Sequence, residues 1–422
     1  MKHVLPYLCL LSIFACSAPA ETISENNFPT VEPSTVGMNA DSLALLDPYM
    51  KWAIDSQFIA GGVMLVAKDN KIVVQKAIGF ADREKTEALT TDHIFRLASM
   101  TKPIVTMAVM QLYEQGKFNL SDPISMYIPE FKNPVVVENL NPADSTYTTR
   151  PAVNEITIHH LLTHTSGIGY GALDPVVGTV YAPFEIVEGW TKDSVLLKTN
   201  IPKFGKLPLM HDPGKKFTYG TSIDVLGYLV EILSGMPLDQ YLQENIFTPL
   251  NMTDTYFYLP EGKKERLVDV WYTGNFDPAA VPASSQDDYP ISGYQTYFSG
   301  GAGLSGTATD YLKFASALLN KGLGNGNRLL KEETVKLMMS NRIDSLYIGE
   351  AEQFGYGGSV FTGEGPIGQK PGRYSWAGFW QTNFWIDPDR NIVCIILTNV
   401  IYPIRWGPFF DRYEEIINHS LN

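Results

Sequence analysis

Apolar and polar residues alternate in two stretches near opposite ends of the chain, and each stretch predicts a β-hairpin. The first hairpin covers residues 62–77, with its turn at Asp69-Asn70. The second covers residues 374–397, with its turn at residues 387–390. Because the sequence between them lacks this alternation, the expected fold is α+β, with one antiparallel sheet built from both chain ends.

Apolar residues at helical spacing characterise much of the rest of the chain. One helix is predicted over residues 41–56, although Pro48 makes its first turn doubtful. The helices predicted between the hairpins are Lys102–Gln115, Ile156–Thr163, Ser222–Ser234 and Thr309–Leu319. Long loops, of the length typical of functional loops, are predicted at residues 130–155, 167–192 and 255–300. We therefore predict a sheet domain flanked by helices, from residues 39–98 and 331–422, and a mainly helical domain with substrate loops, from residues 99–330.

The N-terminus has the features of a secretory signal peptide. A short basic start precedes an apolar run, Val4–Ala15, and then the small residues Ala18-Pro19-Ala20. The run is shorter than the ~18 apolar residues that a membrane span requires. Cleavage after Ala20 would leave residues 21–38 as a leader and release an exported protein, periplasmic or secreted. Alternatively, residues 13–16 resemble a bacterial lipobox, in which Cys16 would be lipidated and anchor the protein to a membrane.

The net charge and the cysteine content exclude some binding partners and some means of stabilisation. A net charge of −13 argues against a nucleic-acid partner, because phosphate binding requires a basic face. Cleavage after Ala20 would leave Cys394 as the only thiol, so internal disulfides cannot stabilise the exported protein. Cys394 lies in an apolar run of β-type residues and is predicted to be a buried packing residue.

Ser99 and Lys102 form a Ser-x-x-Lys pattern at the start of the predicted helix 102–115. Residues three apart share one face of a helix, which brings the lysine amine close to the serine hydroxyl. A serine hydroxyl becomes a nucleophile when a neighbouring group takes its proton, and a lysine in a suitable environment can do so. The same residues also fit a serine helix cap followed by a solvated lysine.

Other candidate sites have weaker support. Gly-x-Ser-x-Gly, the nucleophile motif of α/β-hydrolases, does not occur. His160 and His164 have the i, i+4 spacing of zinc ligands, but no glutamate follows His160, so packing or hydrogen-bonding roles are favoured. Residues 301–306 match Gly-x-Gly-x-x-Gly without a preceding apolar strand, which favours a tight loop over a dinucleotide site.

The motifs taken together resemble the serine β-lactamase and penicillin-binding-protein superfamily, especially class C β-lactamases and their esterase relatives. The resemblance extends from about residue 61 to residue 397. It rests on segments that occur in the family's order: Phe95–Lys102, Ile156–Gly167, Phe217–Ser222, Gly300–Leu304 and Trp376–Gly378. It implies the same fold that the hairpins and helices predict, a sheet from both chain ends with a helical insertion.

The resemblance also implies catalytic roles. Ser99 would be the nucleophile and Lys102 its base, while Tyr219 would carry a proton to the leaving group and later help to activate water. The backbone amides of Ser99 and Phe379 would form the oxyanion hole. The chemistry implied is hydrolysis through an acyl-enzyme, and it requires no metal or organic cofactor.

Two departures from the β-lactamase pattern bear on the substrate. Thr221 stands where β-lactamases usually carry asparagine, and Trp376 stands where they carry the lysine or histidine that holds a carboxylate. An indole offers one neutral N–H and forms no ion pair. Tryptophan at this position resembles the esterase branch. The residues expected to contact substrate are Thr221, Trp376, Gly378, Tyr170 and Trp380, with Tyr297 as a further neighbour. Tyr170, Trp380 and Tyr297 fit ordinary core packing equally well.

The departures favour a carboxylesterase acting on small or medium neutral esters. The alternatives are a β-lactamase, a D-Ala-D-Ala carboxypeptidase or D-aminopeptidase, an acyltransferase, and a non-catalytic penicillin-binding-like protein. The expected partner is a small-molecule ester or amide, and the sequence leaves the oligomeric state open.

Overall fold

The computed structural model describes residues 28–141, 146–272, 289–346, 349, 351–401 and 406–421. Its largest sheet has seven antiparallel strands from the two ends of the chain. In chain order they are β1 (Gly61–Lys68), β2 (Lys71–Gly79), β3 (Glu352–Phe354), β4 (Ser359–Phe361), β5 (Tyr374–Gly378), β6 (Thr382–Asp387) and β7 (Ile392–Leu397). The spatial order is β3-β4-β5-β6-β7-β1-β2, so an N-terminal strand pairs with the last C-terminal strand. The α+β prediction is confirmed.

The central strands are buried on both faces, because successive side chains point to opposite sides of the sheet. Leu65 packs into the core on one face, whereas its neighbour Val66 packs into the core on the other. On β7, Ile395 packs into the same core as Leu65, and its neighbour Cys394 packs into the same core as Val66. Cys394 is 1% exposed and not disulfide-bonded, in agreement with its predicted packing role.

Helices cover both faces of this sheet and fill the middle of the chain. They are α1 (Ala40–Ala44), α2 (Leu46–Asp55), α3 (Thr101–Glu114), α4 (Ile158–Leu162), α5 (Pro175–Tyr181), α6 (Leu197–Phe204), α7 (Ser222–Ser234), α8 (Leu238–Leu242), α9 (Thr248–Leu250), α10 (Ala308–Leu319), α11 (Glu332–Met338) and α12 (Trp406–His419). The 3₁₀ segments are Pro33–Val36, Ala98–Met100, Ile124–Met126, Pro129–Phe131, Ala182–Phe184 and Glu261–Arg266, and Gln243–Phe247 is a π-helical turn.

Short strands outside the main sheet connect the remaining segments. They are Phe95–Arg96, Val135–Asn141, Thr146–Pro151, Thr255–Tyr256, Trp271–Tyr272, Ser305–Gly306, Leu323–Gly324, Asn327–Arg328 and Val400–Ile401. Within the described ranges, no helix is long and apolar enough to cross a membrane.

Several sequence predictions need correction. The second predicted hairpin is a three-stranded meander, because the chain reverses between β5 and β6 with Gln381 in a left-handed conformation. The predicted loop 130–155 contains a hairpin of two strands, residues 135–141 and 146–151, whose outward side chains are largely exposed. The predicted loop 167–192 contains α5, whose first turn is capped by Asp174. Part of the predicted loop 255–300, residues 273–288, lies outside the described residues.

The division into domains at residues 98 and 331 stays a prediction. The main sheet draws all its strands from residues 61–79 and 352–397, as that division requires. However, α10, which the division assigns to the helical part, packs against β7 and β1. The signal peptide at residues 1–20 and the lipidation residue Cys16 lie outside the described residues.

Candidate active site

Ser99 lies in a 3₁₀ turn, Ala98–Met100, that leads directly into α3. The residue before it, Ala98, has φ 46°, a left-handed conformation that costs an alanine energy and recurs at functional sites. The turn is held from outside by the Leu97 amide, which donates to the Leu304 carbonyl at 2.9 Å. The Ser99 hydroxyl is therefore presented by a tightly fixed turn rather than by a regular helix.

Lys102 follows one turn later and is fully buried. Its Nζ lies 3.1 Å from Ser99 Oγ, 3.2 Å from the Tyr170 hydroxyl and 2.7 Å from the Gly301 carbonyl oxygen. These three acceptors match the three N–H groups of an ammonium. In the neutral amine, two N–H groups would serve Tyr170 and Gly301, and the lone pair would face the serine hydroxyl.

Tyr219 reaches the same serine from the segment that precedes α7. Its hydroxyl donates to Ser99 Oγ at 2.7 Å, and its ring lies 4.7 Å from Lys102 Nζ. The chain can bring Tyr219 here because Gly220 packs on the Ile168 carbonyl, where any Cβ would overlap that oxygen. Ser99 Oγ thus receives two hydrogen bonds, an arrangement that stabilises negative charge on the oxygen as its proton leaves.

The family segment Trp376–Gly378 also contacts this cluster. Trp376, on β5, donates its indole N–H to the Tyr219 hydroxyl at 3.4 Å, and the two rings lie 5.3 Å apart. Gly378 packs on the Leu97 carbonyl so closely that a Cβ there would overlap it, which places Phe379 beside the Ser99 turn. The oxyanion-hole role of the Ser99 and Phe379 amides stays a prediction, and this contact is consistent with it.

The other residues predicted to contact substrate differ in whether they contact the Ser99–Lys102–Tyr219 cluster. Tyr170 joins the cluster through its hydroxyl, and burial raises its pKa well above the usual value of 10, so it is a neutral hydrogen-bonding group. Thr221 and Trp380 are fully buried. Tyr297 is also buried, bonded to Asn200 at 2.9 Å. The roles of Thr221 and Trp380 as substrate contacts stay predictions.

Three residues that lie near the site are given no role there by the sequence analysis. His164 is fully buried with its ring 4.9 Å from that of Tyr219, and burial together with the Lys102 charge lowers its pKa well below 6.5. Trp190 stacks on Trp380 at 4.5 Å and lies 6.1 Å from Phe379, which makes it part of an aromatic wall. Asp224 is 1% exposed and hydrogen-bonds the loop that contacts Lys102. His164 lies within the family segment Ile156–Gly167. Trp190 lies in an irregular loop, and Asp224 lies within an ordinary helical pattern.

The histidine pair and the glycine-rich segment, which the sequence offered as other candidate sites, have structural roles. His160 accepts the Thr157 amide at 3.1 Å as part of the cap of α4. Residues 301–304 form the expected loop, whereas Ser305–Gly306 is a short strand that pairs with Phe95–Arg96 and Thr255–Tyr256. Gly301 supplies the carbonyl that accepts from Lys102. Among the described residues, no group of three or more histidine, cysteine or acidic side chains could hold a metal ion.

Comparison with known proteins agrees with this geometry. The sequence profile of the β-lactamase family (Beta-lactamase) matches residues 44–406. The chain belongs to the β-lactamase family. Esterase EstB of Burkholderia gladioli is 30% identical over 400 residues, which cover 90% of this chain and 96% of the esterase. Monacolin J acid methylbutanoyltransferase of Aspergillus terreus is 29% identical over 315 residues, or 72% of each chain.

Solved structures show the same fold. The structure of EstCE1, described as a hydrolase with promiscuous acyltransferase activity, has a TM-score of 0.74 and 27% identity, and the match covers 90% of this chain and 98% of that one. These findings confirm the predicted superfamily and fold. This member of the β-lactamase family is a serine hydrolase.

Proposed function

We propose that the protein is a carboxylesterase that hydrolyses small or medium neutral esters through an acyl-enzyme on Ser99. The observation that carries the proposal is the position of Ser99 Oγ, 3.1 Å from Lys102 Nζ and 2.7 Å from the Tyr219 hydroxyl. Similarity to esterase EstB and to EstCE1 supports the same assignment.

In the acylation step, the neutral Lys102 amine takes the proton of Ser99 as Oγ attacks the ester carbonyl. The carbonyl oxygen becomes an oxyanion, which the Ser99 and Phe379 amides bind. The tetrahedral intermediate then collapses, and Tyr219 gives its proton to the leaving alkoxide. The Lys102 ammonium restores that proton through the hydrogen-bonded cluster, which leaves the acyl-enzyme and a neutral amine.

Deacylation repeats these steps with water as the nucleophile. Tyr219 and Lys102 take one proton from the attacking water, the same two amides bind the oxyanion, and Ser99 leaves with a proton returned from the cluster. No step uses a metal ion or an organic cofactor, because both the nucleophile and its base are side chains of this chain.

The aromatic side chains beside Ser99 support a neutral substrate. Trp376 occupies the position at which a cationic residue would hold a carboxylate, and its single N–H is directed at Tyr219. Half-buried Trp190 and Phe379 continue an apolar aromatic surface beside the Ser99 turn. Such a surface favours an uncharged acyl or alcohol group.

The proposal is tested with a panel of p-nitrophenyl esters of increasing acyl length. Ser99→Ala should lose turnover and covalent labelling by a fluorophosphonate probe, whereas the exposed control Ser56→Ala should keep both. Equal turnover by wild type and Ser99→Ala would refute the proposal. Turnover of a chromogenic cephalosporin or of a D-Ala-D-Ala peptide well above ester turnover would assign the site to the β-lactamase or carboxypeptidase alternative.

Acyl transfer to an alcohol is a second candidate. EstCE1, described as having promiscuous acyltransferase activity, and the methylbutanoyltransferase are both similar to this chain, which supports transfer chemistry. In this reaction an alcohol replaces water in the second step. Adding a primary alcohol to the ester assay and measuring the ratio of new ester to free acid distinguishes a transferase from a hydrolase.

We further propose that the protein is exported, with cleavage after Ala20. The basic start, the apolar run and the small residues that follow it support this proposal. Mass spectrometry of the mature protein from its host should show Glu21 at the N-terminus. A lipidated Cys16 at the N-terminus would instead establish a membrane-anchored lipoprotein.

A further inference from the structure

A short segment, Ser299–Leu304, connects α7 to the reacting groups; we refer to it as the strap. At one end, the Leu304 amide donates to Thr101 Oγ1 at 2.9 Å, next to Lys102. In its middle, the Gly301 carbonyl accepts from Lys102 Nζ at 2.7 Å, the shortest of the three hydrogen bonds that this amine makes. The position of the strap therefore decides where the lysine amine lies.

Asp224, in the first turn of α7, holds the other side of the strap. Its Oδ1 accepts from Ser299 Oγ at 2.5 Å and from the Gly301 amide at 3.2 Å. Gly301 thus bonds to Asp224 through its N–H and to Lys102 through its carbonyl. The strap lies directly on α7 because Gly300 has no side chain; a Cβ there would come within 2.6 Å of the Ile223 carbonyl.

The second oxygen of Asp224 indicates that the carboxylate does more than hold the strap. Oδ2 is buried and has no hydrogen-bond partner among the described residues. It lies next to the Cα of Gly301, where the Tyr170 hydroxyl, itself bonded to Lys102, also lies. Burial raises the pKa of the Asp224 carboxyl, and the hydrogen bond from Ser299 lowers it. Burying the charged form with an unsatisfied oxygen is costly, and an asparagine would make the same two hydrogen bonds at lower cost.

We propose that Asp224 is a positioning residue for catalysis, which holds the Gly301 carbonyl against Lys102 and supplies the negative charge that balances the Lys102 ammonium when it forms. The proposal rests on the proposed function, in which Lys102 is the base. The carboxylate stabilises the ammonium that forms when Ser99 loses its proton. Removing only its charge therefore makes the amine a weaker proton acceptor without displacing the strap.

The other titratable groups around this pair do not supply that charge. Tyr170 and Tyr297 face Asp224, and burial raises the pKa of each well above 10, so both are neutral. His164 faces Lys102 and is neutral because burial lowers its pKa. Glu188 is a second half-buried carboxylate near Asp224, but it bonds the Gly171 and Ala172 amides on a different loop.

The experiment compares Asp224→Asn with Ser299→Ala and Glu188→Gln. Each variant is titrated with the fluorophosphonate probe, so that kcat is expressed per active site, and kcat/KM is measured from pH 5 to 9. For Asp224→Asn we expect kcat to fall about 10-fold or more. The acid limb, the part of the pH profile in which kcat/KM falls as the pH is lowered, should move by at least about 0.5 pH unit toward lower pH. Ser299→Ala removes one hydrogen bond of the strap but keeps the Asp224 carboxyl, so kcat should fall and the limb should move less than in Asp224→Asn. Glu188→Gln, which keeps both Asp224 and the strap, should leave the limb in place.

The outcomes separate this inference from the proposed function. A wild-type pH profile and a kcat within 2-fold for titrated Asp224→Asn would overturn the positioning role, while loss of turnover in Ser99→Ala would still support the esterase. Asp224→Asn is close to isosteric and removes a buried charge, so it should fold; circular dichroism and the melting temperature check this. A lower melting temperature with unchanged kinetics per active site would identify a purely structural role and would also overturn the inference.

Discussion

Replacing Tyr219 by phenylalanine removes one oxygen atom from the centre of the site and leaves its packing in place. The ring lies 4.9 Å from that of His164, 5.4 Å from that of Tyr170 and 5.3 Å from that of Trp376, and phenylalanine keeps these contacts. What is lost is the 2.7 Å hydrogen bond to Ser99 Oγ and the acceptor of the Trp376 N–H. The perturbation is therefore chemical rather than steric.

The expected effect follows from these contacts. A positioned proton donor contributes roughly 10²- to 10⁴-fold to a rate. Because Lys102 still contacts Ser99 at 3.1 Å in the variant, we expect the lower part of this range, a fall in kcat of about 10²- to 10³-fold, or about 2.7 to 4 kcal/mol. The variant loses the short bond to Ser99 and the long, weak bond from Trp376, so the free energy of unfolding should fall by about 1 to 2 kcal/mol.

The assay is stopped-flow hydrolysis of p-nitrophenyl butyrate, which separates the acylation burst from steady turnover. Both phases should slow, because the same hydroxyl serves the leaving alcohol and the attacking water. Tyr294→Phe, at a tyrosine that is 71% exposed, is the matched control and should behave as wild type. A Tyr219→Phe enzyme with kcat within about 3-fold of wild type would refute the proton-transfer role, since that is far below the contribution of a proton donor.

Three further predictions concern the walls of the site and the stability of the fold. Gly378→Ala should abolish ester turnover, since the added Cβ would overlap the Leu97 carbonyl and displace the backbone beside Ser99; steady-state kinetics and the melting temperature measure the two effects. Trp190→Ala should raise KM for long-chain and aryl esters with little change in kcat for the acetate, because it removes only apolar wall. Hydrogen bonds from Arg150 lower the pKa of Asp212 from 3.8 to about 2, so this pair stabilises the fold above pH 4, and its contribution is lost as the pH falls from about 4 to 2. Asp212→Asn should therefore be less stable than wild type by about 1 kcal/mol at pH 7, and the difference should vanish near pH 2 in urea unfolding.

Each of these predictions has a contrary outcome. Wild-type turnover in Gly378→Ala would show that the backbone beside Ser99 need not lie as close as it does. An unchanged preference among ester lengths in Trp190→Ala would place the acyl group elsewhere. A stability difference for Asp212→Asn that persists at pH 2 would mean that the carboxylate acts through packing rather than through its charge.

Elements whose signals are local could be predicted from the amino-acid sequence. The hairpin of β1 and β2 follows from apolar alternation and an Asp69-Asn70 turn, in which both residues adopt the left-handed conformation such a turn requires. Helix α7 begins and ends at the predicted residues because its apolar spacing and Gly235 at its C-terminus are both local. The approach of Lys102 to Ser99 is also local, because the two residues lie three apart at the start of one helix.

The tertiary structure alone decided which distant groups meet. Tyr219 lies 120 residues from Ser99, and the Gly301 carbonyl 199 residues from Lys102. Periodicity reports which face of an element is buried, but it carries no information on what that face packs against. For this reason the full burial of Thr221 and Trp380 is not apparent from the sequence, and nothing in the sequence singles out Trp190 or Asp224. The chemistry of the site could be read from residue types at fixed spacings, whereas its walls and its buried charge depend on long-range packing.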